Sequence, residues 1–338
     1  MKIGILGAGS WAIALTVLLH KRGHNICMWE FNSKDAEMLR VNREHPVKLP
    51  GIRIPESVEI VNDITVAVKN SDYIICAVPS QTMRSTMRRV AQVCSVEEIG
   101  SVKGWVIVAK GIETNTLKLM TDVLLEELPQ INDQKLAVLS GPSHAEEVSR
   151  DIPTTIVAAS ENLSLATVIQ ENFSTEAFRI YTNSDIRGVE LAGSVKNVIA
   201  LAAGISDGLG CGDNTKGALM TRGIAEMMRL GRKMGAQEST FSGLAGIGDL
   251  ITTCISKHSR NRKMGELIAS GLTLQQALSK MTMVAEGVET TRSVYQLAQK
   301  LGIEMPITAA VYSLLFEGKN AKLMAKELME RELKTEWY

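Results

Sequence analysis

The sequence predicts an α/β fold with a doubly wound, mostly parallel sheet, followed by an all-helical C-terminal domain. Three observations carry this reading. Short β-rich runs alternate with helical patterns through the first half. Runs such as Tyr73-Ile74-Ile75-Cys76-Ala77-Val78 are apolar throughout, which suits parallel strands covered on both faces. Past Asp185 no strand pattern recurs. A length of 338 residues suits two domains, divided here into residues 1–185, which hold the alternating strands and helices, and 186–338, all helical.

In chain order, strands are expected at Lys2–Leu6, Asn25–Trp29, Val58–Val61, Tyr73–Val78, Trp105–Ala109 and Leu136–Leu139, with Thr154–Ala159 and Phe178–Thr182 extending the sheet. Helices are expected between them at Ser10–Lys21, Ser33–Arg43, Ile64–Lys69, Gln81–Val93 and Thr116–Leu128. Ile186–Ile205 reads as one long helix rich in Ala, Gly and Ser, whose small side chains let neighbouring backbones approach, so it is expected at the centre of the second domain. Further helices are expected at Lys216–Met234, Arg262–Ala269, Leu274–Met281, Val288–Leu301, Ile307–Glu317 and Ala321–Leu328.

Composition narrows the function classes. Lys+Arg and Asp+Glu both number 37, so the net charge is zero, and aromatic residues make up 4%. Neither fits a nucleic-acid partner. The five cysteines (Cys27, Cys76, Cys94, Cys211 and Cys254) are scattered, with no CxxC pair and no Cys/His cluster. No metal site is expected, and a reducing cytoplasm is. Ile3–Leu19 carries no charge and contains Ala12-Ile13-Ala14, which mimics a signal-peptide cleavage site. Its glycines and its short length argue against insertion, so the chain reads as soluble. Trp337 and Tyr338 offer no anchor signal.

Gly7-Ala8-Gly9-Ser10-Trp11-Ala12 lies between the first strand and the first helix. Gly7 and Gly9 permit a tight turn and the close approach of a pyrophosphate to a helix N-terminus, and Ala12 replaces the third glycine of the dinucleotide fingerprint. This makes the first domain Rossmann-type. Glu30 follows the second strand, 23 residues after Gly7, where an acid accepts hydrogen bonds from the adenosine ribose hydroxyls of NAD. A 2′-phosphate about 4 Å away would meet a like charge costing on the order of 4 kcal/mol per unit pair at an effective dielectric near 20. NAD(H) is therefore favoured, with NADP(H) left open.

Four later segments matter together: Val108–Glu113 with Lys110; Leu139–Glu147, reading Leu-Ser-Gly-Pro-Ser-His-Ala-Glu-Glu; Leu191–Asp207 with Lys196 and Asn197; and Gly246–Cys254, running on to Ser259, Arg260 and Asn261. Their order and spacing resemble the NAD(P)-dependent glycerol-3-phosphate dehydrogenase family of soluble bacterial enzymes, over nearly the whole chain from Gly7 to the Met305-Pro306-Ile307-Thr308 segment. The resemblance implies interconversion of sn-glycerol 3-phosphate and dihydroxyacetone phosphate, usually toward glycerol 3-phosphate for phospholipid synthesis, in a cytoplasmic homodimer without membrane insertion.

Carried over residue by residue, it implies Lys196 as the catalytic proton acceptor. Lys110, Gly141, Ser143, Lys196, Asn197, Asp249, Thr253, Arg260 and Asn261 would meet the phosphorylated small-molecule substrate. Gly7, Gly9, Ser10, Trp11, Glu30, Lys110, Ala145, Arg260 and Glu286 would meet the cofactor. The chemistry agrees: a lysine among Val195, Val198 and Ile199 loses proton affinity by burial, and Arg260 offers a planar pair of donors to phosphate. Asp249 either orients the lysine or caps the helix that begins at Leu250. His144 is discounted as the base, His258 reads as surface, and His20, His24 and His45 show no constellation. Residues 30 and 31, Glu-Phe, depart from the basic or neutral pair common in the family, which again favours NAD.

Two rival enzyme families share the two-domain plan. Hydroxyacid dehydrogenases and ketopantoate reductases place an Asn four residues after the catalytic Lys, where this chain has Ala200. A nucleotide-sugar dehydrogenase needs a nucleophilic Cys, and Gly210-Cys211-Gly212 lacks its companion sequence. A cofactor-binding redox sensor would bind NADH without turnover and has no need of Lys196, Asp249 or Arg260.

Overall fold

The computed structural model describes residues 1–69, 71–333, 335 and 336; Trp337 and Tyr338, where the sequence offers no anchor signal, lie outside them. Eight strands form one sheet: β1 (Lys2–Leu6), β2 (Asn25–Trp29), β3 (Glu59–Val61), β4 (Tyr73–Cys76), β5 (Gly104–Ile107), β6 (Leu136–Ser140), β7 (Thr154–Ala159) and β8 (Phe178–Asn183). Their order is β3-β2-β1-β4-β5-β6-β7-β8. The first six are parallel, β7 turns antiparallel against β6, and β8 runs parallel to β7.

The unbroken apolar runs are explained by two cores. Tyr73 and Ile75 of β4 join one cluster with Ile5, Ile13 and Val106, while Ile74 and Cys76 join another with Trp29, Met87 and Trp105. Side chains alternate between faces, and both faces are dry. Because β3-β2-β1 and β4-β5-β6 wind outward from β1 and β4, the loops after β1, β2, β4, β5 and β6 gather along one carboxyl edge.

The sheet ends at Asn183, and a 23-residue helix, Ile186–Gly208, follows. By length and apolar content it is the one described helix that qualifies to cross a membrane, and its apolar window is wholly buried inside the protein. It is the axis of a third core, with Leu191, Val195, Val198 and Ile199 fully buried. Packed on it are the helices Gly212–Lys233, Asp249–Ile255, Arg260–Ala269 and Gly287–Leu301. The small residues do what the sequence suggests. A Cβ on Gly204 would stand 1.9 Å from the Arg262 carbonyl oxygen, and one on Gly265 would stand 2.2 Å from that of Leu201, so these two helices touch backbone to backbone.

Some elements differ from expectation. The helix expected from Thr116 begins at Met120. Asn115 and Leu117 have positive φ, and Ile112 bridges to Leu119, so the segment before it is an irregular loop. The helix Leu163–Phe173 is not anticipated, although Leu165, Ala166, Ile169 and Phe173 line one buried face and Asn162 caps it on Ser164. The long helix runs three residues past Ile205, to Gly208.

Candidate active site

The turn after β1 is shaped for an anion. Gly7 has φ of +116°, and a Cβ there would stand 2.8 Å from the Ala77 carbonyl oxygen, so the fold itself demands glycine. Gly9 is different: a Cβ there would meet no protein atom within 4 Å. It caps the helix Ser10–Lys21 without a side-chain acceptor. The first amides of that helix are left for an outside partner, and a pyrophosphate fits them. Ser10 is buried behind the turn, Trp11 packs on Phe178 at 6.4 Å, and Ala145 lies buried beside the same cluster.

Glu30 stands just past β2. It is buried rather than exposed, at 8% accessibility. Its Oε1 accepts from the Asn32 amide at 2.9 Å, and its Oε2 lies 3.6 Å from the Lys48 ammonium. Lys48 is a residue that sequence reading passes over.

The centre of the site is a carboxylate between two lysines. Lys196, from the long helix, donates to Asp249 Oδ1 at 2.5 Å and to Thr253 Oγ1 at 2.6 Å. Lys110, on the loop after β5, donates to Asp249 Oδ2 at 2.7 Å and to the Gly141 carbonyl at 3.2 Å. Asp249 opens its helix, but its side chain turns to the lysines rather than capping the helix. Burial pushes the Lys196 amine down to about 8; Asp249 resists this and Lys110 adds to it. Burial opposes ionisation of Asp249, yet the Lys110 and Lys196 ammoniums together hold its carboxyl below the usual range.

Beside this centre, Asn197 Oδ1 accepts from Asn261 Nδ2 at 2.9 Å, and Asn261 Oδ1 accepts from the Gly287 amide at 2.9 Å. Arg260 opens the helix Arg260–Ala269 behind its Ser259 cap, exposed, with one guanidinium nitrogen on the Val284 carbonyl at 3.3 Å. Ser143 donates to the Gly141 carbonyl at 2.8 Å.

Glu286 accepts from the Ser80 amide and hydroxyl at 3.1 and 2.5 Å, joining the helical half to the loop after β4. Burial raises its carboxyl. Ser80 is thus a partner that no motif advertised. The His144 ring lies tilted against that of His258, with ring centres 5.7 Å apart, and its Nε2 is buried without a partner. Burial, and then the Lys196 charge, keep His144 below its ordinary value.

Residues 2–166 match the model of the NAD-dependent glycerol-3-phosphate dehydrogenase N-terminus, and residues 185–326 match that of its C-terminus. A relative from Chlorobium phaeobacteroides (strain BS1), named glycerol-3-phosphate dehydrogenase [NAD(P)+], is 51% identical over 336 residues, covering 99% of each chain. One from Fusobacterium nucleatum with the same name is 48% identical, covering 99% of this chain and 98% of its own. The crystal structure of glycerol-3-phosphate dehydrogenase from Coxiella burnetii superposes with a TM-score of 0.92 at 35% identity, covering 98% of this chain and 99% of the other.

Proposed function

Because the chain belongs to the NAD-dependent glycerol-3-phosphate dehydrogenase family, we propose that this oxidoreductase interconverts sn-glycerol 3-phosphate and dihydroxyacetone phosphate and supplies glycerol 3-phosphate for phospholipid synthesis. The observation that supports this most is the buried Lys110–Asp249–Lys196 group, with Thr253 completing the cage around the Lys196 amine.

The nicotinamide cofactor supplies or takes the hydride at C2; the protein handles the proton. In the oxidative direction neutral Lys196 Nζ takes the C2 hydroxyl proton, and in the reductive direction its ammonium returns that proton to the ketone oxygen. A free lysine near pKa 10.4 is almost never neutral at physiological pH. One lowered to about 8 populates both states. Asp249 fixes the direction of Nζ and balances Lys110, whose charge faces the same space.

Asn197 and Thr253 hydrogen-bond the substrate's oxygens, with Gly141 and Ser143 beside them. Arg260 and Asn261 grip its phosphate at the start of their helix. In this reading residues 1–185 carry the dinucleotide on Gly7, Gly9, Ser10, Trp11, Glu30, Lys110 and Ala145. Residues 186–338 carry the substrate, with Arg260 and Glu286 reaching back to the cofactor. NAD(H) is preferred because of Glu30, NADP(H) being the second cofactor, and the enzyme works as a cytoplasmic homodimer.

The test is NADH oxidation with dihydroxyacetone phosphate, run beside NADPH and beside unphosphorylated dihydroxyacetone. Fast turnover with the phosphorylated ketone alone is expected. NADH binding with no turnover would refute the reading and leave a redox sensor.

A further inference from the structure

The loop that follows the helix Ser33–Asn42 is fastened at several points. His45 is buried, and its Nδ1 accepts from the amides of both Val47 and Lys48, at 3.3 and 3.1 Å. Its ring proton must therefore sit on Nε2. Leu49, fully buried, returns its amide to the His45 carbonyl, and the Gly51 amide donates to Glu44 Oε1 at 2.8 Å. His45, without a constellation in the sequence, is the clasp of this turn. Burial lowers its pKa, which keeps the ring neutral near pH 7.

Held this way, Lys48 leans over the acid at the end of β2. Its ammonium lies 3.6 Å from Glu30 Oε2 and 3.9 Å from Asp35 Oδ2, with the side chain 28% exposed. An unpaired Glu30 would repel a 2′-phosphate, but a Glu30 already matched by a cation repels it far less. A lysine is also a point charge on a flexible stem that can pivot from a carboxylate to a phosphate over a short path.

We propose that Lys48 is a specificity-determining residue of the cofactor site: drawn over Glu30 by the closed 45–49 turn, it offsets the acid that would otherwise turn away a 2′-phosphate, and so lets the chain use NADP(H) beside NAD(H). With NAD(H), Glu30 takes the ribose hydroxyls and Lys48 stays paired. With NADP(H), Lys48 transfers to the 2′-phosphate. The inference rests on the dinucleotide reading of the Gly7–Glu30 segment.

The test is equilibrium binding of NADH and NADPH, followed by their fluorescence at fixed salt, on the full chain and on Lys48→Met, Lys48→Arg and Glu30→Gln. Lys48→Met is expected to weaken NADPH at least tenfold more than it weakens NADH. Lys48→Arg should hold the ratio near its original value, and Glu30→Gln should move it toward NADPH. Raising the salt should shrink the Lys48→Met effect, because the contact is partly exposed. A Lys48→Met variant that shifts both dissociation constants by the same factor, or neither, overturns the assignment. Turnover of dihydroxyacetone phosphate by the unmodified chain is measured separately, so a failed activity and a failed cofactor ratio are told apart.

Discussion

Replacing Asp249 with Asn keeps the shape of the site and removes the one charge shared by Lys110 and Lys196. The Nζ–Oδ distances of 2.7 and 2.5 Å place the charge centres roughly 4 Å apart, where one ion pair is worth about 4 kcal/mol at an effective dielectric near 20. At about 1.4 kcal/mol per pK unit, full loss of that attraction would move Lys196 by about 3 units. The amide dipole and entering water return part of it, so a fall of about 1–2 units is expected, from about 8 toward neutrality or below. Lys110, left unpaired nearby, pushes the same way.

The two directions of the reaction should then separate. Reduction of dihydroxyacetone phosphate needs the ammonium and should fall about two- to tenfold at pH 7, the fraction of ammonium lost by that shift. Oxidation of glycerol 3-phosphate needs the neutral amine and should lose only what misorientation costs. The assay is kcat against pH in both directions, with circular dichroism to show that the variant folds, since breaking a buried pair costs about 3–5 kcal/mol. A midpoint that stays near 8, or rises, would refute the view that Asp249 sustains the Lys196 charge.

The unmodified chain should oxidise glycerol 3-phosphate faster as pH rises through about 8 and reduce dihydroxyacetone phosphate more slowly over the same range; Lys196→Ala should lower kcat by about 10²–10⁴ while NADH titration still saturates. Gly7→Ala puts a Cβ against the Ala77 carbonyl at positive φ, so it should cost about 1–3 kcal/mol of stability in a denaturant melt and weaken NADH binding. Glu190 sits on the Thr121 amide and hydroxyl, and Glu226 on the amides of Ile307 and Thr308. Burial holds each carboxyl up at about 7, above its ordinary 4.5. The stability each gives is full below 4.5 and lost as pH rises through about 7, at most about 3 kcal/mol apiece. The pair Glu190→Gln and Glu226→Gln should therefore flatten the fall of Tm across that interval, and an unchanged slope would remove both groups from the account.

The sheet was legible because strands dry on both faces announce themselves, as Tyr73–Cys76 does. The helix at Leu163–Phe173 carries its signal in Leu165, Ile169 and Phe173, but it is a short pattern set between two stronger strand runs. The late start of the helix at Met120 was not legible, because it depends on Asn115 and Leu117 taking positive φ where no glycine marks the turn. In the site, Lys196 stood out by its apolar neighbours. Its pairing with Asp249 joins residues 53 apart in sequence, and that of Lys110 with the same acid joins residues 139 apart, so only packing brings them together. Position alone leaves Asp249 the further reading of a helix cap, which its side chain, turned to the two lysines, does not follow. Lys48 carried no signal at all, since its meaning comes from a turn clasped by His45 and from an acid 18 positions earlier.

The contact of Gly204 with Arg262 and of Gly265 with Leu201 makes a ruler of two helices. Lys196 and Asn197 lie on one and Arg260 and Asn261 on the other, and at the two glycines nothing but backbone sets their spacing. If the first pair reads the reacting carbon and the second the phosphate, substrate length is measured by backbone rather than by pocket walls. A phosphorylated ketone one methylene longer would then arrive out of step with the amine, however well its phosphate was held.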